Sequence, residues 1–141
     1  DSNNTTGVAP DELEPWQTVL ETGEKMDWVF GKNYKPYSPT AAEIEQAEEL
    51  LSQCFAKQES GVVNCFVGKK LEDYNRQFMG GTTEAGEKVI WINCLCKREN
   101  EAFKDWKTRL IIVADGGNCF FNLKINIDKQ IYYGLIVNGN A

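Results

Sequence analysis

The sequence predicts an α+β fold: one N-terminal helix packed on an antiparallel β-meander of four or more strands, formed by residues 36–141 and preceded by a flexible terminus and irregular arm over residues 1–35. Three observations carry that expectation. A single stretch with helical spacing opens at Ser38-Pro39-Thr40, the apolar period drops to two after Gly61, and apolar and polar residues alternate cleanly from Cys119 to Ile127. One helix followed by a meander buries its apolar faces only if the helix lies across the sheet.

Residues 1–35 hold apolar residues in short clusters, Trp16, Val19 and Leu20, then Met26, Trp28, Val29 and Phe30. A segment with two tryptophans and no long period reads as an arm packed on the domain. Ser38-Pro39 followed by Thr40-Ala41-Ala42-Glu43 supplies a capping hydroxyl, a proline suited to a first turn and an acid that complements the helix dipole. Ile44, Ala47, Leu51, Cys54 and Phe55 then recur at helical spacing, which predicts a one-sided helix over about 39–57. Val62–Val67 reads as a short strand or the approach to one. Tyr74–Met79 is a strand, joined through Gly80-Gly81 and a turn-rich stretch to another over Lys88–Cys96. Lys97–Lys107 is a loop or short helix. Leu110–Ala114 has the clearest sheet pattern, and Asp115-Gly116-Gly117-Asn118 is a turn because its glycines tolerate positive φ. The alternating Cys119–Ile127 strand turns at Asp128-Lys129-Gln130 into a last strand, Ile131–Val137.

The 141 residues are 42% hydrophobic with a net charge of -6, a balance that argues against a nucleic-acid partner. The charge is uneven: residues 1–59 carry 12 acids and 4 bases, and residues 60–141 carry 9 acids and 11 bases. The longest apolar run, Leu110–Ala114, falls far short of the roughly 20 residues that cross a bilayer, so no transmembrane segment is expected. Histidine is absent, which removes imidazole-based triads and the common zinc sites. The opening Asp1–Gly7 reads as a mature terminus behind a removed export signal, and Asn3-Asn4-Thr5 and Asn4-Thr5-Thr6 fit the N-glycosylation acceptor pattern. Of the five cysteines, Cys94, Cys96 and Cys119 are expected to face the helix and stay mostly reduced.

No phosphate-binding glycine loop or serine-nucleophile motif occurs, and Asp115-Gly116-Gly117-Asn118 lacks the spaced carboxylates of a calcium loop. Neither a metal nor a cofactor is expected. A cysteine nucleophile would need Lys or Arg to stabilise its thiolate, and Cys65, near Lys69 and Lys70, is the candidate for such a role.

The order of one helix and then a meander resembles the cystatin-like α+β architecture, with the NTF2-like cone as runner-up. Tyr74-Asn75-Arg76-Gln77-Phe78-Met79-Gly80, Trp91-Ile92-Asn93, Asp115-Gly116-Gly117 and Val137-Asn138-Gly139-Asn140-Ala141 together resemble small exported lipoproteins of gut anaerobes, a family without an established function, over about residues 28–141. The resemblance implies a cell-envelope or extracellular location, with a lipid anchor before trimming. Gln77-Phe78-Met79-Gly80-Gly81 is also similar to the Gln-x-Val-x-Gly hairpin of cystatins, which implies a protease inhibitor acting through residues 77–81.

The leading expectation is a non-enzymatic, exported binding module for an unknown protein or small ligand. The alternatives are an NTF2-like pocket enzyme or ligand carrier, and the inhibitor. If Ile90, Ile92, Cys94, Phe121 and Leu123 face the helix, then Val89, Trp91, Leu95 and Phe120 point to a second face too apolar to stand open. The arm, through Trp16, Trp28 and Phe30, is the first candidate to cover it, followed by a homodimer or a ligand. The candidate binding residues are therefore Trp91, Phe120 and Trp28, with Gln77, Phe78 and Gly80 from the inhibitor-like segment.

Overall fold

Thr40 starts the long helix α2 (Ala41–Glu59) through a reciprocal cap. Its hydroxyl accepts from the Glu43 N–H at 3.2 Å, and the Glu43 carboxylate accepts from the Thr40 N–H at 2.9 Å. Ile44, Ala47, Leu50, Leu51, Cys54 and Phe55 make the buried stripe, and the intervening glutamates other than Glu43 stay at least partly in water. The computed structural model describes residues 8–9, 12–23 and 26–139, so the expected mature terminus with its glycosylation patterns lies outside the described residues.

Among the described residues, β1 (Gln17–Val19), α1 (Met26–Phe30) and β2 (Lys35–Tyr37) precede α2. The meander follows as β3 (Tyr74–Thr82), β4 (Lys88–Cys96), β5 (Phe120–Asn126) and β6 (Ile131–Val137). The sheet has six strands in the order β1-β3-β4-β5-β6, with β2 also pairing with β3. The fold is thus α+β with one main helix and a mostly antiparallel sheet, as expected. The expectation that the helix is N-terminal is corrected, because α2 lies between strands. β1 pairs in parallel with Arg76–Phe78, and β2 pairs antiparallel with Gly80–Thr82. Three-residue strands are too short for alternation to reveal them in a sequence.

Register fixes the two faces of the sheet. Phe78, Ile92 and Leu123 align across β3, β4 and β5, and so do Arg76, Cys94 and Phe121. These rows face α2, where Phe55, Phe66, Tyr74 and Phe121 form an aromatic cluster whose Phe55–Phe66 rings stack at 4.3 Å. The opposite rows run through Asn75, Gln77 and Met79 on β3, Val89, Trp91, Asn93 and Leu95 on β4, and Phe120, Asn122 and Lys124 on β5.

The strand predicted over Leu110–Ala114 is absent, and Val62–Val67, read as a short strand or the approach to one, is not a strand. Val62–Val67 is a run of turns in which Phe66 enters the core while Val62, Val63 and Val67 stand exposed, and the Asn64 side chain accepts from the Phe66 N–H at 2.8 Å. Leu110–Ala114 pairs with no strand and instead crosses the second face. The expectation that Cys96 and Cys119 are reduced is also corrected, since they form a disulfide. The Leu95–Phe120 pairing brings them opposite each other with Cα atoms 4.8 Å apart, a separation suited to a bridge. Cys94 is free and buried against α2, and Cys54 and Cys65 are free as well.

Candidate functional site

The second face is covered in two ways. At one end, Met26, Val29 and Phe30 project from the same side of α1 at i, i+3 and i+4 and, with Leu20, pack on Met79, Val89 and Trp91. The arm therefore covers part of this face, but not through the tryptophans expected. Trp16 lies elsewhere, its ring 5.1 Å from the Lys97 Nζ, and Trp28 falls on the outer side of α1, 62% exposed.

In the middle, the segment 97–117 crosses the sheet on hydrogen bonds from buried amides. Gln77 Nε2 donates to the Trp106 and Arg109 carbonyls, both at 2.6 Å, and Gln77 Oε1 accepts from the Ile111 N–H at 3.1 Å. Asn93 Nδ2 donates to Gln77 Oε1 at 2.9 Å and to the Ile111 carbonyl at 2.7 Å. These amides satisfy the backbone groups that a neighbouring strand would otherwise pair, which is why Leu110–Ala114 can be apolar without joining the sheet. Trp106 and Ile111 are buried beneath this crossing.

Between these two covers and the edge strand β6 remains a groove of about 390 Å³. Trp91, 2% exposed, lies against it, with its Nε1 donating to Asn122 Oδ1 at 3.2 Å. Phe120 lies beside it, edge-on to Phe103 at 5.9 Å. Gly116, at φ 96, is held against the Phe120 ring where a Cβ would collide with the ring carbons, so a glycine is required in this turn. The outer walls are Trp28, Ile112 and Ile136, the last two 50% and 57% exposed. Lys124 also lines the groove, opposite Trp91 on β4 and Tyr133 on β6. Burial lowers the Lys124 ammonium from the usual lysine range. On Tyr133, burial together with Tyr34 and Glu87 pushes the phenol up to about 12.

The structure thus gathers Trp28, Trp91 and Phe120 around one cavity. Gln77, Phe78 and Gly80 are not part of it. Phe78 and Gln77 are wholly buried in the middle of β3, and Gly80 lies between Tyr37 of β2 and Ile90 of β4. The hairpin tip is at residues 83–87, so the inhibitor-like segment does not protrude. The sequence reading missed Lys124, Ile112 and Ile136. Lys124 left one signal: it is the only charge in a row that otherwise holds Asn118, Phe120, Asn122 and Asn126.

Two other hollows have their charges already matched or facing water. One of about 700 Å³ beside Met79 and Leu110 contains Arg109, bound to Asp105 at 2.6 Å, and Lys107, 5.7 Å from the Trp106 ring centre. One of about 460 Å³ beside α2 holds Arg76, whose Nε is 3.2 Å from Glu48, amid further glutamates. Among the described residues, no group of three or more His, Cys, Asp or Glu side chains is placed to hold a metal ion.

The chain matches no protein-family model, no curated protein and no solved structure.

Proposed function

We propose that this protein is a non-enzymatic binding module whose ligand is a small molecule with an apolar body seated in the groove over Trp91 and Phe120. The observation that carries the reading is the groove's outer wall. Trp28, Ile112 and Ile136 are large side chains left half or more in water around a hollow of ligand size. Binding is favoured over catalysis because, among the described residues, Lys124 is the one titratable side chain in the lining, and acid–base chemistry on a substrate needs partners it lacks.

The same reading keeps the likeness to cystatin-like domains and to exported lipoproteins. A long helix lying against a four-strand meander supports the first. The Cys96–Cys119 bridge supports export to the cell envelope or beyond, because disulfides persist in oxidising compartments.

The test is binding of the uncharged fluorophore N-phenyl-1-naphthylamine, whose emission rises in apolar surroundings. Saturable binding to the wild type, lost in Ile112→Asp and Ile136→Asp with unchanged circular dichroism, is the expected result. Binding that survives both substitutions would refute the groove, and a concentration-dependent dimer blocked by the same substitutions would mean that a second copy, not a ligand, covers it.

A further inference from the structure

We infer that the ligand of this groove carries a carboxylate on its apolar body, held by Lys124 with Asn122 as a second donor. The inference rests on the binding reading above and names its ligand class.

Lys124 and Asn122 are two residues apart on β5 and project from the same face of the strand, so their side chains start about 7 Å apart. Trp91 Nε1 can only donate, and it donates to the Asn122 oxygen. The Asn122 amide nitrogen therefore points away from Trp91, and it has no acceptor among the described residues. The Lys124 Nζ lies over the β6 bulge, 4.0 Å from where a Cβ on Gly134 would sit. No carboxylate comes within 4 Å of it among the described residues.

Among the described residues, the groove lining includes no Asp or Glu. A cation withdrawn from water beside apolar walls, with no internal counter-ion, is matched by an external anion. Among the described residues six other lysine and arginine side chains, at 76, 88, 98, 104, 109 and 129, have an acid within 4 Å, and of those without one Lys124 is the one that lines this groove. A carboxylate accepts from both the ammonium and the amide, whereas an alcohol or an uncharged amide leaves the charge unmatched.

The experiment measures displacement of bound N-phenyl-1-naphthylamine by 2-naphthoate and by the uncharged 2-naphthylmethanol. The acid is expected to compete at tenfold or more lower concentration than the alcohol. In Lys124→Met this gap should close while the alcohol competes as before. In Lys57→Met, which removes an equal charge from the exposed side of α2 across the sheet, the gap should persist. Equal competition by acid and alcohol in the wild type, or a gap that survives Lys124→Met, overturns the carboxylate assignment and leaves the groove intact. Failure of the fluorophore itself to bind the wild type overturns the underlying reading instead.

Discussion

Towards α2, β3, β4 and β5 present Tyr74, Phe78, Ile90, Ile92, Cys94, Phe121, Leu123 and Ile125, with Arg76 the one charge among them. Away from α2 the same strands present Asn75, Gln77, Asn93, Asn122 and Lys124 among Met79, Val89, Trp91, Leu95 and Phe120. The first face is closed by one regular element, and hydrophobic burial suffices there. The second is closed by a short helix and an irregular crossing segment, whose backbone groups need amide partners from the sheet. Cover of that kind is piecemeal. It ends at β5 and β6, and the groove is what remains open.

This comparison predicts that substitutions on the helix face cost the most. Phe121→Ala removes the ring shared by Phe55, Phe66 and Tyr74, and should lose about 3–5 kcal/mol in urea denaturation. A loss under about 1.5 kcal/mol would mean that the aromatic cluster is not the centre of stability. Next comes the bridge that closes the crossing segment at its base. Cys96 and Cys119 are 23 residues apart, and replacing both by serine should cost about 3 kcal/mol from the freed loop alone. Alkylation of the native protein sharpens the same contrast between faces. Burial pushes the Cys54 thiol up to about 11 and Cys94 higher still, so mass spectrometry should find Cys65 modified well before either.

Gln77→Leu tests the amide account directly. The substitution is close in volume but removes the partners of the Trp106 and Arg109 carbonyls, the Ile111 N–H and the Asn93 amide. A loss of about 2 kcal/mol is expected, with faster amide hydrogen exchange at Ile111 and no change in α2. Unchanged exchange at Ile111 would show that apolar contacts alone hold the crossing segment.

The same contrast explains what could be read from the residues. The α2 period, the bounds of β4 and β6 and the alternation of β5 were legible because each element buries one face at a fixed spacing. Leu110–Ala114 misled because an apolar run records burial and not the partner of its backbone; here the partners are side chains distant in sequence, Gln77 and Asn93 on Ile111 and Asn138 on Val113. Val62–Val67 misled for a related reason, since only Phe66 of that run is buried. Trp28, Trp91 and Phe120 could be linked in advance because the strand pattern left a second face to fill. Lys124 could not be distinguished from an ordinary solvated lysine until the register placed it against Trp91 and the bulge at Gly134.

A smaller effect is expected where α2 begins. Burial alone would raise the Glu43 carboxyl, but hydrogen bonds from Tyr37, the Thr40 N–H and Lys88 outweigh it and hold the group below the ordinary carboxylate range. A lowered folded pKa stabilises the fold above the unfolded value of about 4.5 and loses that contribution as pH falls through the folded value. Acid titration of stability should therefore be flatter in Glu43→Gln, with about 1 kcal/mol already missing at neutral pH. Identical acid limbs would mean that the carboxylate is no better held than in the unfolded chain.

The smallest effect is the one that separates a site from a core. Trp28 is as large as any residue in the protein, yet α1 packs through Met26, Val29 and Phe30 and turns Trp28 outward. If the groove is an open surface, Trp28→Ala changes folding stability by no more than about 0.5 kcal/mol, as at other exposed positions. Binding of N-phenyl-1-naphthylamine should nonetheless weaken several-fold in this variant, because the ring forms one wall. Phe30→Ala, two residues further along α1, makes the matching control: it should cost about 3 kcal/mol or more, because that ring is buried between α1 and the sheet. A Trp28→Ala variant that is destabilised as much as Phe30→Ala would show that the tryptophan belongs to the cover of the second face and that the gap between the covers is closed in solution.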